Sequence, residues 1–141
     1  MNKDWKKAQD NVSKVLKSFM DIRKDFYFKR FTDTYEAGNI VQNQPSDFWF
    51  IYNGIFTICE VKSSNYTDKF YVKDIRPSQF IGARRVTAAG GKSLFLIVKL
   101  PEWQWHRIDG MLLWSCKDNG IPGVAWDGME QIKLTAEEIL R

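Results

Sequence analysis

Asp47, Glu60 and Lys62 are the side chains of this 141-residue sequence best placed to do chemistry together. They flank two apolar runs joined by Asn53-Gly54, the strongest short-range hairpin signal a sequence offers. With that pair as the loop, Tyr52 faces Ile55, Ile51 faces Phe56, Phe50 faces Thr57, Trp49 faces Ile58, Phe48 faces Cys59 and Asp47 faces Glu60. Directly opposed residues have Cβ atoms roughly 4.5–5.5 Å apart. Lys62, two residues beyond Glu60, points to the same side of the sheet. Carboxylates that close repel each other. Lys62 offsets part of the cost, and a divalent cation offsets more. Mg²⁺ suits paired carboxylate oxygens, keeps several of its waters and takes substrate phosphate as well; Mn²⁺ can stand in for it. Such an ion polarises a phosphoryl oxygen and activates a water, while Lys62 stabilises developing negative charge or orients that water. These are the requirements of phosphodiester hydrolysis. A bare D…E-x-K is most often only a salt bridge at a strand end; the register and the apolar setting favour the chemical reading here.

The elements that must hold these groups are legible in outline. Residues 4–22 carry Trp5, Ala8, Val12, Val15, Leu16 and Phe19 at helical spacing, with lysines largely off that stripe. Residues 26–35 alternate as a strand, and residues 36–46 form a loop. Residues 47–52 and 55–62 make the hairpin; being apolar on both faces near the turn, it is expected to be covered on both sides. Residues 70–72 suit a short strand. A helix opens near Arg76-Pro77-Ser78, with Ser78 as candidate N-cap, and stops at Gly90-Gly91. Residues 93–100 (SLFLIVKL) read as a buried strand, and residues 103–108 as another. Residues 111–114 continue that strand or form a short helix, and residues 118–129 are rich in turn formers. Thr135 followed by Glu138 marks a last helix start. The expected fold class is α/β: a mixed central β-sheet flanked by helices.

Length fits one domain, residues 1–141, with one core. Hydrophobic residues are 44% and aromatics 15%, enough to fill it. No run of eighteen apolar residues suggests a membrane span, and the charged N-terminus does not read as a secretory signal. Cys59 and Cys116 are too isolated for a disulfide framework or a zinc site and fit a reducing, cytoplasmic setting. The net charge of +4 and pI near 9.1 are compatible with a polyanionic partner but weak alone.

Basic residues that could contact phosphates are Lys29, Arg30, Lys69, Arg76, Arg84 and Arg85, with Lys73 and Lys92 of the same standing; a solvated surface is the alternative for each. Asn65, Tyr66 and Thr67 fall in a loop near the cluster. His106, the only histidine, reads as structural. Trp103, Trp105, Trp114 and Trp126 read as core or interface aromatics, with base stacking the alternative.

The order helix, strand, hairpin and helix, with Pro45-Ser46-Asp47 and then Glu60-Val61-Lys62, resembles the PD-(D/E)XK nuclease superfamily. The longer segment DFWFIYNGIFTICEVKSSNYTDKFYVKDIRPSQ is similar to RecU-type Holliday junction resolvases, with Phe70 and Gln79 in the matching places. The resemblance covers roughly residues 45–100 and implies a restriction-endonuclease-like core. It implies that Asp47 and Glu60 bind the metal with the Val61 carbonyl, that Lys62 and Gln79 complete the catalytic set, and that an acid on the first helix, here Asp10, joins them; a solvated helix charge is the alternative for Asp10. It further implies a Mg²⁺-dependent endonuclease resolving four-way junctions in a bacterial or phage-infected cell, as a homodimer whose two sites make the paired incisions. The family's Arg-Gly stretch before the first helix is missing, its stalk is absent or reduced to residues 36–44, and its Thr pair is replaced by Pro45-Ser46. A compact, phage-like or archaeal-like resolvase built on the same core is one way to read these departures. Cleavage of other linear or branched DNA, or a catalytically silent DNA-binding module, stays open at this stage.

Overall fold

The computed structural model describes residues 3–31 and 46–141. Along the chain lie α1 (Asp4–Ile22), β1 (Phe26–Arg30), β2 (Phe48–Tyr52), β3 (Ile55–Ser64), β4 (Lys69–Tyr71), α2 (Pro77–Ala88), β5 (Lys92–Lys99), β6 (Gln104–Asp109), α3 (Gly110–Asp118), β7 (Gly123–Ala125), β8 (Glu130–Ile132) and α4 (Ala136–Leu140). Six strands form one sheet in the order β1-β2-β3-β5-β6-β8, and β4 pairs with β7 in a small second sheet. β3 and β5 run parallel, joined across α2; the other pairs are antiparallel. The fold class is therefore the expected one, a mixed α/β sheet with helices on it. Expectations for residues 32–45, including the end of the first strand, the loop and Pro45, lie outside the described residues.

The hairpin forms in the register set by its turn. Asn53 and Gly54 both have positive φ, 53° and 76°, the conformation that a two-residue turn matching strand twist demands. Tyr52↔Ile55 through Phe48↔Cys59 pair as expected. β2 ends there, but β3 runs on to Ser64, paired from Thr57 onward with β5. Glu60, Val61 and Lys62 thus lie on a stretch of β3 whose β2-side edge has no strand ladder.

Alternation along β5 separates two cores. Leu94, Leu96 and Val98 join Ala8, Val12, Leu16 and Phe19 of α1, with Phe48, Phe50, Cys59 and Val61, on one face. Phe95 and Ile97 pack on the other with Phe80 of α2, Leu113 of α3, Phe70 and Trp126. The continuous apolar run of β5 is needed because helices cover both its faces.

Three expectations are corrected. Trp5, placed on the apolar stripe of α1, is half exposed. Ser78 is not the cap of α2: Pro77 takes the first helical position, where its missing N–H is no loss, and Arg76 precedes it as cap. Near its turn the hairpin is covered, among the described residues, on one face only. Tyr27, Ile51 and Phe56 are 53%, 41% and 39% exposed, because α2 lies over β3 and β5 and leaves β1 and β2 bare on that side.

Candidate active site

The carboxylate cluster forms where β2 gives out. The backbone carbonyl of Asp47 still accepts from Phe31 N–H at 2.9 Å, which holds the residue beside β1. Its side chain replaces the missing ladder: Oδ2 accepts from Val61 N–H at 2.8 Å, and Oδ1 accepts from Gln9 Nε2 of α1 at 3.0 Å. In a strand the N–H and C=O of one residue point to the same side. The Val61 carbonyl is thereby directed to the edge where Asp47 sits.

Glu60 is buried on the α2 face. Its Oε1 accepts from Gln79 Nε2 at 2.5 Å and lies 3.6 Å from Lys62 Nζ. Its Oε2 is buried with no donor. Gln79 is held in turn from its other end, Oε1 accepting from Arg76 N–H at 3.0 Å. Asp47, Glu60, Lys62 and Gln79, named from the sequence, thus come together around one strand edge.

Burial raises the pKa of Asp47, against the pull of Val61 N–H, Lys62 and Arg76. Glu60 is pushed well above the carboxylate range, first by burial and then by the charge of Asp47; Lys62 and Arg76 oppose the rise. Each carboxyl thus holds its proton to higher pH than a free one, Glu60 the more strongly. The folded chain therefore binds more protons than the unfolded one once pH exceeds the ordinary carboxylate values, 3.8 and 4.5. Stability contributed by these groups is present at low pH and is lost as pH rises through their folded values. The chelated protein should accordingly melt at falling temperature as pH increases from about 4.5, relative to Glu60→Gln, and millimolar Mg²⁺ should flatten that decline. Parallel melting curves for the two proteins across the range would contradict this electrostatic picture.

The donor set fits a hard divalent cation. Two carboxylates and a backbone carbonyl supply oxygens, Glu60 Oε2 has no donor to satisfy it, and added positive charge would relieve the repulsion that burial magnifies. Among the described residues no third Asp, Glu, His or Cys joins the pair. The remaining positions would fall to water and substrate, as Mg²⁺ prefers.

Asp10 does not reach the cluster. Its Oδ1 accepts from Arg30 Nη1 at 2.8 Å, so the acid of α1 is spent on β1. The residue of α1 that does arrive is Gln9, one position earlier, whose Oε1 accepts from Arg30 Nη2 at 3.2 Å. Arg30 is accordingly engaged by Gln9 and Asp10. Helical spacing alone does not distinguish Gln9 from its polar neighbours, and no acid was there to draw attention to it.

The other basic candidates scatter. Arg76 is exposed beside the site, and its charge acts on both carboxyls. Arg84 lies 5.4 Å over the Trp114 ring. Arg85 and Lys29 are exposed, on α2 and β1, and Lys69 is half-buried in β4. Lys73 Nζ lies 5.2 Å over the rings of both Tyr66 and Tyr71. His106 is buried 5.1 Å from Trp126, and burial lowers its pKa. Trp105 and Trp126 are buried, and Trp103 and Trp114 are partly buried against the two cores. Cys59 is buried, its thiol pushed well up by that burial, and is inert.

No family model matches the chain. No curated protein matches it either. Among solved structures it is similar to Hjc, a Holliday junction resolvase from the archaeal hyperthermophile Archaeoglobus fulgidus, with 15% identity over 79% of this chain and 78% of that one and a TM-score of 0.48. Among the described residues no helix is long and apolar enough to cross a membrane.

Proposed function

We propose that this chain is a Mg²⁺-dependent DNA endonuclease of the PD-(D/E)XK type. The observation that carries the proposal is the buried Asp47–Glu60 pair at an open strand edge, with Lys62 Nζ 3.6 Å from Glu60 and one Glu60 oxygen without a donor. Structural ion pairs are built to neutralise themselves. This cluster has two acids against one adjacent ammonium, and burial amplifies the imbalance.

Asp47, Glu60 and the Val61 carbonyl would hold the cation, which when bound neutralises phosphate charge and lowers the pKa of water. Asp47 is aimed by Gln9 and by Val61 N–H. Glu60 is aimed by Gln79. Lys62 places positive charge where a pentacoordinate phosphate would gather negative charge. Arg76, exposed at the start of α2, would meet a neighbouring phosphate of the same strand. Products with 5′-phosphate and 3′-hydroxyl ends follow from the resemblance.

A four-way junction is the substrate we infer, on the similarity of residues 45–100 to RecU-type resolvases, with a homodimer supplying paired incisions. The test is Mg²⁺-dependent digestion of a synthetic four-stranded crossover beside its component duplexes, with cut positions mapped on every strand. Symmetric paired cuts near the branch, absent from the duplexes, are expected. Equal cutting of both would assign the same chemistry to DNA without junction preference. No cutting of any DNA, with no Mg²⁺ or Mn²⁺ binding by calorimetry, would leave a silent binding module.

A further inference from the structure

The bare face of the hairpin sheet carries a row of aromatic rings that the proposed chemistry does not use. Tyr27 and Trp49 have ring centroids 5.7 Å apart and Trp49 and Phe56 likewise 5.7 Å, with interplanar angles of 42° and 33°. They belong to three adjacent strands and point to one side. Tyr27 pairs with Ile51, which pairs with Phe56; Lys29 pairs with Trp49, which pairs with Ile58. Packing of the core does not require them there, since Phe26, Phe28, Phe48 and Phe50 on the opposite side meet α1. Solvated sheet faces normally alternate to polar residues.

Two features of this face say what would cover it. On β3 the same side carries Phe56, Ile58 and then Glu60, so the ringed face leads toward the carboxylate cluster. Trp49 is two residues from Asp47, roughly 7 Å along the strand, about one nucleotide step of an extended chain. The other feature is charge. Outside the Asp47, Glu60 and Lys62 cluster, Lys29 is the one charged residue on this face of β1, β2 and β3, and it is exposed. Rings that present flat π-faces, with a cation among them and, on the described strands outside the carboxylate cluster, no acid to repel a phosphate, make a surface for stacked bases and their backbone.

We propose that Tyr27, Trp49 and Phe56 form a stacking platform for unpaired bases of DNA next to the scissile phosphodiester, with Lys29 holding the accompanying phosphate. This rests on the nuclease reading for its substrate and narrows it to DNA with single-stranded character at the cut: a gap, a flap or an opened branch point.

The test is equilibrium binding of a short dT oligonucleotide and of a blunt duplex of equal length, in EDTA so that no chemistry intervenes. Tyr27→Ala should weaken oligonucleotide binding about five- to 150-fold, the range for loss of one stacked base, and leave duplex binding unchanged. Tyr27→Phe should restore it. Tyr27 is more than half exposed, so its removal leaves the core untouched. Lys29→Ala should weaken binding and flatten its salt dependence by about one ion. Equal losses on duplex and oligonucleotide would overturn the proposal, as would no loss on either. So would a Tyr27→Ala protein that sediments as a smaller species while binding oligonucleotide normally, which would assign the face to contact between copies of the chain. Loss of Mg²⁺-dependent cleavage in a protein that still stacks dT would count against the nuclease reading and leave the platform standing.

Discussion

Glu60→Gln should abolish Mg²⁺-dependent DNA cleavage, by about 10³-fold or more, and raise the melting temperature of the metal-free protein. The amide can still accept from Gln79 Nε2, so the side chain keeps its place. What disappears is the charge. A neutral oxygen cannot share a divalent cation with Asp47, and the loss should reach at least the top of the range seen when one electrostatic stabiliser is removed. Stability moves the other way because burial of ionised Glu60 beside Asp47 is unfavourable. Asp47→Asn should act in the same sense, with a smaller gain in stability, since its NH2 cannot accept and one of the two donors, Val61 N–H or Gln9 Nε2, loses its acceptor. Single-turnover cleavage and thermal melts with and without chelator measure both effects. Wild-type turnover by Glu60→Gln would remove the chemical basis of the assignment.

Lys62→Met should slow single-turnover cleavage by about 10²- to 10³-fold while DNA affinity stays near wild type. Methionine retains most of the aliphatic stem, so the packing of this largely buried side chain is kept. Its ammonium is also one of two cations that oppose the upward shift of Glu60, Arg76 being the other. Without it Glu60 holds its proton to higher pH, so the variant should need more Mg²⁺ and higher pH to reach its own maximum rate. A defect fully repaired by Mg²⁺ would make Lys62 an aid to cation binding alone. A rate equal to wild type at every Mg²⁺ concentration would take Lys62 out of the mechanism.

The centre of the fold could be read from local signals because each rested on a strong steric rule. Asn53-Gly54 supplies two positive φ angles, and that turn sets five residue pairs and the meeting of Asp47 with Glu60. α1 follows its apolar stripe from Asp4 to Ile22. Thr135 caps α4 by accepting from Glu138 N–H at 3.3 Å. What escaped depended on long-range partners. Gly123–Ala125 is a strand only because β4 offers an edge to it, and its Gly-Val-Ala sequence carries no period of its own. The bare hairpin face was misjudged because apolarity on both sides of a strand does not specify what lies above it. Within the site, Gln79 was placed by resemblance and Gln9 was missed, although both hold a carboxylate. A glutamine has no charge to betray its partner, and on α1 the acid one residue away, Asp10, is taken by Arg30.

Gln79 makes the first turn of α2 and the buried acid a single moving part. Its oxygen takes Arg76 N–H and its nitrogen reaches Glu60; because the two ends of an amide differ, neither bond survives a flip. A strand pressing on the outer surface of that helix would be felt at the acid oxygen without any slack joint between. The latch implies that DNA need not touch the carboxyl group to re-aim it.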